Sequence, residues 1–267
     1  MPYLTIDERN HYYEIHGKGP PLVLISGLGT SRLFWWKQIG PLPEKYTTIT
    51  LDNRGIGNSS RVNKPFTIDD MADDIAAILQ HIGTGPCHII GTSMGGFVAL
   101  TLAINYPLSV NKLMVVATSA GGPNHLPPYE KILQLATNAD HADVETYTRN
   151  IHIAIAGPGY MQSNPQDLEH LVKNATETPL SPDTYLYQLN AINHYDTSGG
   201  VASRLHRIQV PTMVLHGMAD PLIPYANGRY LADHIEGAHL LSYDGIGHLP
   251  PIEAAKRFNQ DAIAFFG

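Results

Sequence analysis

Short apolar runs rich in β-branched residues recur along this chain: Leu22-Val23-Leu24-Ile25, Thr47-Thr48-Ile49-Thr50-Leu51, His88-Ile89-Ile90, Leu113-Met114-Val115-Val116 and Thr212-Met213-Val214-Leu215. Runs this continuous do not alternate apolar with polar residues, so such strands must be covered on both faces, as in a mostly parallel sheet layered with helices. Between the second and third runs, Ile68, Met71, Ala72, Ile75, Ile78, Leu79 and Ile82 share one face at helical spacing. Thr67 can cap that helix, Asp69 and Asp70 suit its positive end, and Gly83 stops it. The class is therefore α/β, with Tyr3 to His16 read as a hairpin ahead of the parallel part.

The strand signal lapses from Gly121 to about Gly200. Helical stretches take over around Glu130 to Ala136, Val144 to Ala154, Leu168 to Asn174 and Tyr185 to Ile192, and strand-helix alternation resumes at Pro211. A length of 267 residues suits one sheet-centred domain carrying that helical insertion.

Lysine and arginine number 17 against 24 acidic residues, a net charge of -7, which gives no reason to expect binding to nucleic acid or an anionic membrane. The expected partner is a small molecule. Cys87 is the only cysteine and sits in an apolar run, so no internal disulfide forms and a buried, unreactive thiol is expected. The segment Met1-Pro2-Tyr3-Leu4-Thr5-Ile6-Asp7 lacks the basic and apolar regions of a signal peptide, and the expected location is cytoplasmic. From Ile75 to Asn111 there is no Asp, Glu, Lys or Arg, but Gly83, Gly85-Pro86, Gly91, Gly95-Gly96 and Pro107 interrupt it too often for a membrane span.

Gly91-Thr92-Ser93-Met94-Gly95-Gly96 fits G-x-S-x-G with a strand ending at Ile90 before it and a helix from about Met94 to Tyr106, stopped by Pro107, after it. A sharp strand-to-helix turn projects the serine, and its flanking positions must be small enough for strand and helix to meet. Ser93 is thus the candidate nucleophile, with the Met94 N–H at a helix N-terminus as an oxyanion donor. The dinucleotide-loop alternative lacks its third glycine in Gly27-Leu28-Gly29-Thr30-Ser31-Arg32. No phosphate loop or zinc helix occurs, so no cofactor and no metal is expected.

A hydrolytic serine needs a histidine to take its proton and a carboxylate to orient that histidine. Among 14 histidines, His248 follows a late strand run, Ala238 to Tyr243, within Gly245-Ile246-Gly247-His248. Asp220 lies just beyond the run ending at Leu215, where ligands gather in open α/β sheets; Asp196 and Asp244 are alternatives, and His216 reads as structural. The loop Ser26-Gly27-Leu28-Gly29-Thr30 should supply the second oxyanion donor through the Leu28 N–H. Gly27, Trp35 and Leu249 are the substrate-pocket candidates.

With these motifs, together with Asp52-Asn53-Arg54-Gly55-Ile56-Gly57-Asn58-Ser59, the chain resembles the α/β-hydrolase superfamily, especially small carboxylesterases and 3-oxoadipate enol-lactonase-like hydrolases. The resemblance implies a mostly parallel eight-stranded sheet with helices on both faces. It further implies a core of residues 1–120 and 201–267 under a helical cap of 121–200, and turnover of an ester or lactone through an acyl-enzyme. It assigns Asp52 and Arg54 to a structural turn. Ser26-Gly27 departs from the family's usual His-Gly. Serine at the elbow argues against epoxide hydrolases and dehalogenases, whereas haloperoxidases, perhydrolases, carbon-carbon bond hydrolases and a hydrolase-derived ligand sensor share the same constellation.

Overall fold

The computed structural model of the protein describes residues 3–137, 143–178 and 180–267; Met1 and Pro2 of the N-terminal reading, and residues 138–142 and 179 of the expected insertion, lie outside the described residues. The strands are β1 (Tyr3–Ile6), β2 (Arg9–His16), β3 (Pro21–Ile25), β4 (Thr47–Leu51), β5 (Cys87–Thr92), β6 (Val110–Val116), β7 (Thr212–Gly217) and β8 (His239–Tyr243). They form one 8-stranded sheet in the order β1-β2-β4-β3-β5-β6-β7-β8. β1 and β2 make the expected hairpin, β2 pairs antiparallel with β4, and every remaining pairing is parallel.

The continuous apolar runs feed two cores at once. Val23 and Ile25 of β3, Ile89 of β5 and Leu113 and Val115 of β6 point into one cluster; Leu22, Leu24, Ile90, Met114 and Val116 point into the other. This two-residue alternation is the strand period acting on a sheet buried on both sides. Each such Leu, Ile or Val contributes roughly 1.5–3 kcal/mol by leaving water.

Helices α1 (Ile68–Ile82) and α2 (Met94–Asn105) fill the first face. At the start of α1, Thr67 and Asp70 each bond the other's backbone N–H, and Gly83 ends the helix at φ 71°. Between β6 and β7 the described chain forms α3 (Glu130–Thr137), α4 (Val144–Ile155), α5 (Tyr160–Ser163), α6 (Pro165–Glu177) and α7 (Pro182–Thr197), with no strand among those residues. After β7 come α8 (Tyr225–His234) on the first face, then α9 (Pro250–Glu253) and α10 (Ala255–Phe266), which covers the second face with Phe258, Ala262 and Phe266. No helix of the described residues is long and apolar enough to cross a membrane.

The sheet order matters most at β3. The chain leaves β3 for β4 on one side and reaches β5 on the other, so the connections diverge and a crevice opens at the carboxyl ends of β3 and β5.

Candidate active site

Ser93 stands at that crevice, directly after β5 and ahead of α2. Its backbone holds φ 55°, ψ −124°, a conformation that costs an L-residue about 1–3 kcal/mol and survives only when its surroundings enforce it. They do so: the Ser93 N–H donates to Val116 O at 2.9 Å, and Ser93 O accepts from Gly96 N at 2.8 Å and Thr118 Oγ1 at 2.8 Å. A Cβ on Gly91 would overlap Gly95 O, and one on Gly95 would overlap Ile25 O, so both flanking glycines are demanded by the closeness of strand and helix.

The loop after β3 lies against this serine. A Cβ built on Gly27 would sit 3.1 Å from Ser93 Cβ and 3.6 Å from its Oγ. Within the loop, Gly29 N–H donates to Gln188 Oε1 at 2.9 Å and Thr30 N–H to Gly27 O at 3.3 Å, while the Leu28 N–H has no acceptor among the described residues. Met94, as first residue of α2, has no carbonyl one turn earlier to bond. Two backbone donors beside one hydroxyl are the raw material for stabilising an oxyanion.

Asp220 and His248 leave the same sheet edge, after β7 and β8. The His248 Nδ1–H donates to Asp220 Oδ2 at 2.8 Å, which leaves Nε2 as the acceptor nitrogen. The other Asp220 oxygen accepts the N–H groups of Leu222 and Ile223, both at 2.9 Å. Burial alone would raise the Asp220 carboxyl, but His248 and His216 outweigh it and hold the group down at about 2, so it stays an anion. His216 Nε2 donates to Ile223 O at 2.8 Å and is packed in the interior, a structural part. Ser93 Oγ makes no hydrogen bond to a described residue; such limbs often close only when substrate arrives.

The other residues singled out by sequence make no hydrogen bond to Ser93, Asp220 or His248 among the described residues. Trp35 is wholly buried, edge-on to Phe34 with centroids 5.2 Å apart, and its indole N–H meets no acceptor among the described residues. Leu249 is buried beside His248. Asp244 is exposed, and Asp196 faces His125 Nε2 at 3.6 Å rather than His248. Asp52 binds the N–H groups of Arg32 and Asn58, both at 2.9 Å, and Arg54 forks onto Asp74, so that turn is structural. Cys87 is buried, which pushes its thiol pKa up.

Three residues escaped the sequence reading. Gln188 of α7 reaches from the insertion to the Gly29 N–H. Glu253 of α9 accepts N–H bonds from Gly247 and Leu249, the two neighbours of His248. His152 of α4 donates from Nδ1 to Thr148 O at 2.8 Å, so its Nε2 is an acceptor; burial, with a smaller push from His248, lowers it to about 4. Only Glu253 had a local signal, a carboxylate in the first turn of a proline-started helix just past His248.

Residues 20–255 match the family described as the alpha/beta hydrolase fold. This chain belongs to the α/β-hydrolase family. It is 30% identical to RutD of Azorhizobium caulinodans, a protein assigned as a carbamate hydrolase, over 100% of this chain and 98% of that one. It is 28% identical to 3-oxoadipate enol-lactonase 2 of Acinetobacter baylyi, over 90% of this chain and 86% of the relative. The crystal structure of the enol-lactonase from Burkholderia xenovorans shares the fold, with a TM-score of 0.86 and 24% identity over 99% of both chains.

Proposed function

We propose that this chain is a serine hydrolase cleaving a small carboxylic ester or lactone through an acyl-enzyme. The observation that carries the reading is the 2.8 Å His248–Asp220 bond on the same sheet edge as a strained, glycine-flanked Ser93. Ser93 Oγ attacks the substrate carbonyl as His248 Nε2 takes its proton, and Asp220 balances the imidazolium. The Leu28 and Met94 N–H groups hold the oxyanion. Collapse breaks the acyl–oxygen bond and His248 returns the proton to the departing alkoxide, which in a lactone stays attached to the acyl chain. Water, deprotonated by His248, then attacks the acyl-serine, releasing the acid and restoring Ser93. Every proton moves through His248, so the scheme calls on no metal or organic cofactor.

Residues 121–200 serve as a cap over a core of 1–120 and 201–267, with Gly27 and Leu249 as pocket residues. Gln188 bonding Gly29, and the Ile155 carbonyl accepting the His248 N–H at 2.8 Å, support that arrangement. A single, buried, free cysteine supports a cytoplasmic setting.

A carbamate is the second reading. RutD of A. caulinodans, matched over 98% of its length, carries that assignment.

One experiment tests both. A fluorophosphonate should label Ser93, and Ser93→Ala should lower turnover of short p-nitrophenyl esters by about 10³-fold or more. A loss of only a few fold in a folded variant removes Ser93 from the mechanism. A panel of esters, lactones and carbamates ranked by kcat/KM separates the two substrate readings.

A further inference from the structure

Glu253 makes more bonds than its helix needs. Its Oε1 accepts the Leu249 N–H at 2.9 Å, a local bond from the fourth residue of the helix back to the residue that precedes its first turn. Its Oε2 has no such local duty, yet it accepts Gly247 N–H at 3.1 Å and Gly157 N–H at 2.7 Å. Gly247 and Leu249 flank His248, and Gly157 follows α4, in the insertion. Between them, the His248 N–H itself donates to Ile155 O of α4. The backbones meet so closely that a Cβ on Gly157 would overlap Gly245 O and one on Gly247 would overlap Gly157 N.

We propose that Glu253 is a positioning residue for His248: one carboxylate fixes the peptides on both sides of the base and bolts them to the inserted helices through Gly157. The inference rests on the serine-hydrolase reading, because positioning has meaning only if His248 is the base. The residue touches neither Ser93 nor the place of a scissile bond. Its effect runs through the histidine loop, by geometry and by a negative charge that favours imidazolium. Burial pushes the Glu253 carboxyl up, against the three N–H bonds and the field of His248. The other titratable groups facing this junction are His152 of α4, Tyr160 of α5, and Asp167 of α6 with Lys37 Nζ at 2.6 Å.

The test compares wild type, Glu253→Gln and Glu253→Asp, each first checked for a cooperative melt. The glutamine keeps size and one acceptor oxygen but turns an amide donor toward backbone N–H groups and removes the charge. It should lower kcat/KM by on the order of 10–100-fold, mostly in kcat, and slow fluorophosphonate labelling in parallel, as expected for a displaced base. The acid limb of kcat/KM should move to lower pH, because the charge favouring imidazolium is gone. The aspartate, which keeps the charge, should leave the limb in place while losing part of the rate; it also carries the test if the glutamine variant does not fold. A merely structural role would lower Tm and leave the profile of the folded molecules unchanged, and that result overturns the inference. So does a folded Glu253→Gln enzyme within about twofold of wild type, since even small misplacement of a base is costly. Wild type unlabelled at Ser93 would sink the hydrolase reading instead, so the two failures are told apart.

Discussion

At Ser93 the backbone holds a shape that an L-residue avoids, and it does so because every neighbour is fixed. The enforcement comes from contact, so it is open to test at the glycines. Gly95→Ala would drive a Cβ into Ile25 O and to 2.7 Å from Ser26 O, both backbone, where nothing can swing aside. We expect a loss of about 3 kcal/mol or more in urea unfolding, or no soluble protein; an unchanged midpoint would mean that the strand and helix do not press on this position. The same sterics explain why this part of the site was legible in the sequence. A turn that tolerates only glycine two places either side of a serine leaves a pattern, and Asp220 and His248 follow from standing just past strands. Gln188, His152 and Glu253 left little trace, because their hydrogen-bond partners are backbone groups, and every non-proline residue carries a backbone N–H and carbonyl whatever its side chain.

For whole elements, the strands were legible because burial on both faces removes polar residues from their centres, and α1 because it buries one face only. The end of α1 is set by its cap. Thr67→Ala deletes the acceptor for the Asp70 N–H at 3.1 Å and should cost about 1 kcal/mol, read as a lower Tm. Helix α2 is buried on all sides from Met94 to Ile104 and so has no apolar stripe; only the glycine motif before it and Pro107 after it marked its extent. In the insertion, α6 and α7 run longer than their periodic stretches suggested. Pro165 and Pro182 begin them, and the polar residues of the outer turns carry no stripe to count.

Across the molecule, the insertion leaves and rejoins the sheet through a crossing where Gly122 N–H donates to Asp196 O at 3.0 Å and Val201 N–H to Ala120 O at 2.9 Å. Burial raises the Asp196 carboxyl from 3.8 to about 7, one of its oxygens having no partner among the described residues, and it lowers His125 opposite. A carboxyl raised by folding stabilises the native state fully below its unfolded value near 3.8, and that contribution is lost as pH rises through about 7. Asp196→Asn removes the penalty of ionising there. The variant should gain on the order of 1–2 kcal/mol relative to wild type between pH 5 and pH 8, seen as a Tm difference that grows more positive with pH. A difference independent of pH would show that Asp196 ionises as freely folded as unfolded.

The inserted helices are stitched to the sheet edge at Gln188–Gly29, Ile155–His248 and Gly157–Glu253, which is to say at the segment bearing Leu28 and at the segment bearing the imidazole. Any displacement of these helices from the sheet would therefore break backbone hydrogen bonds at both segments in the same motion.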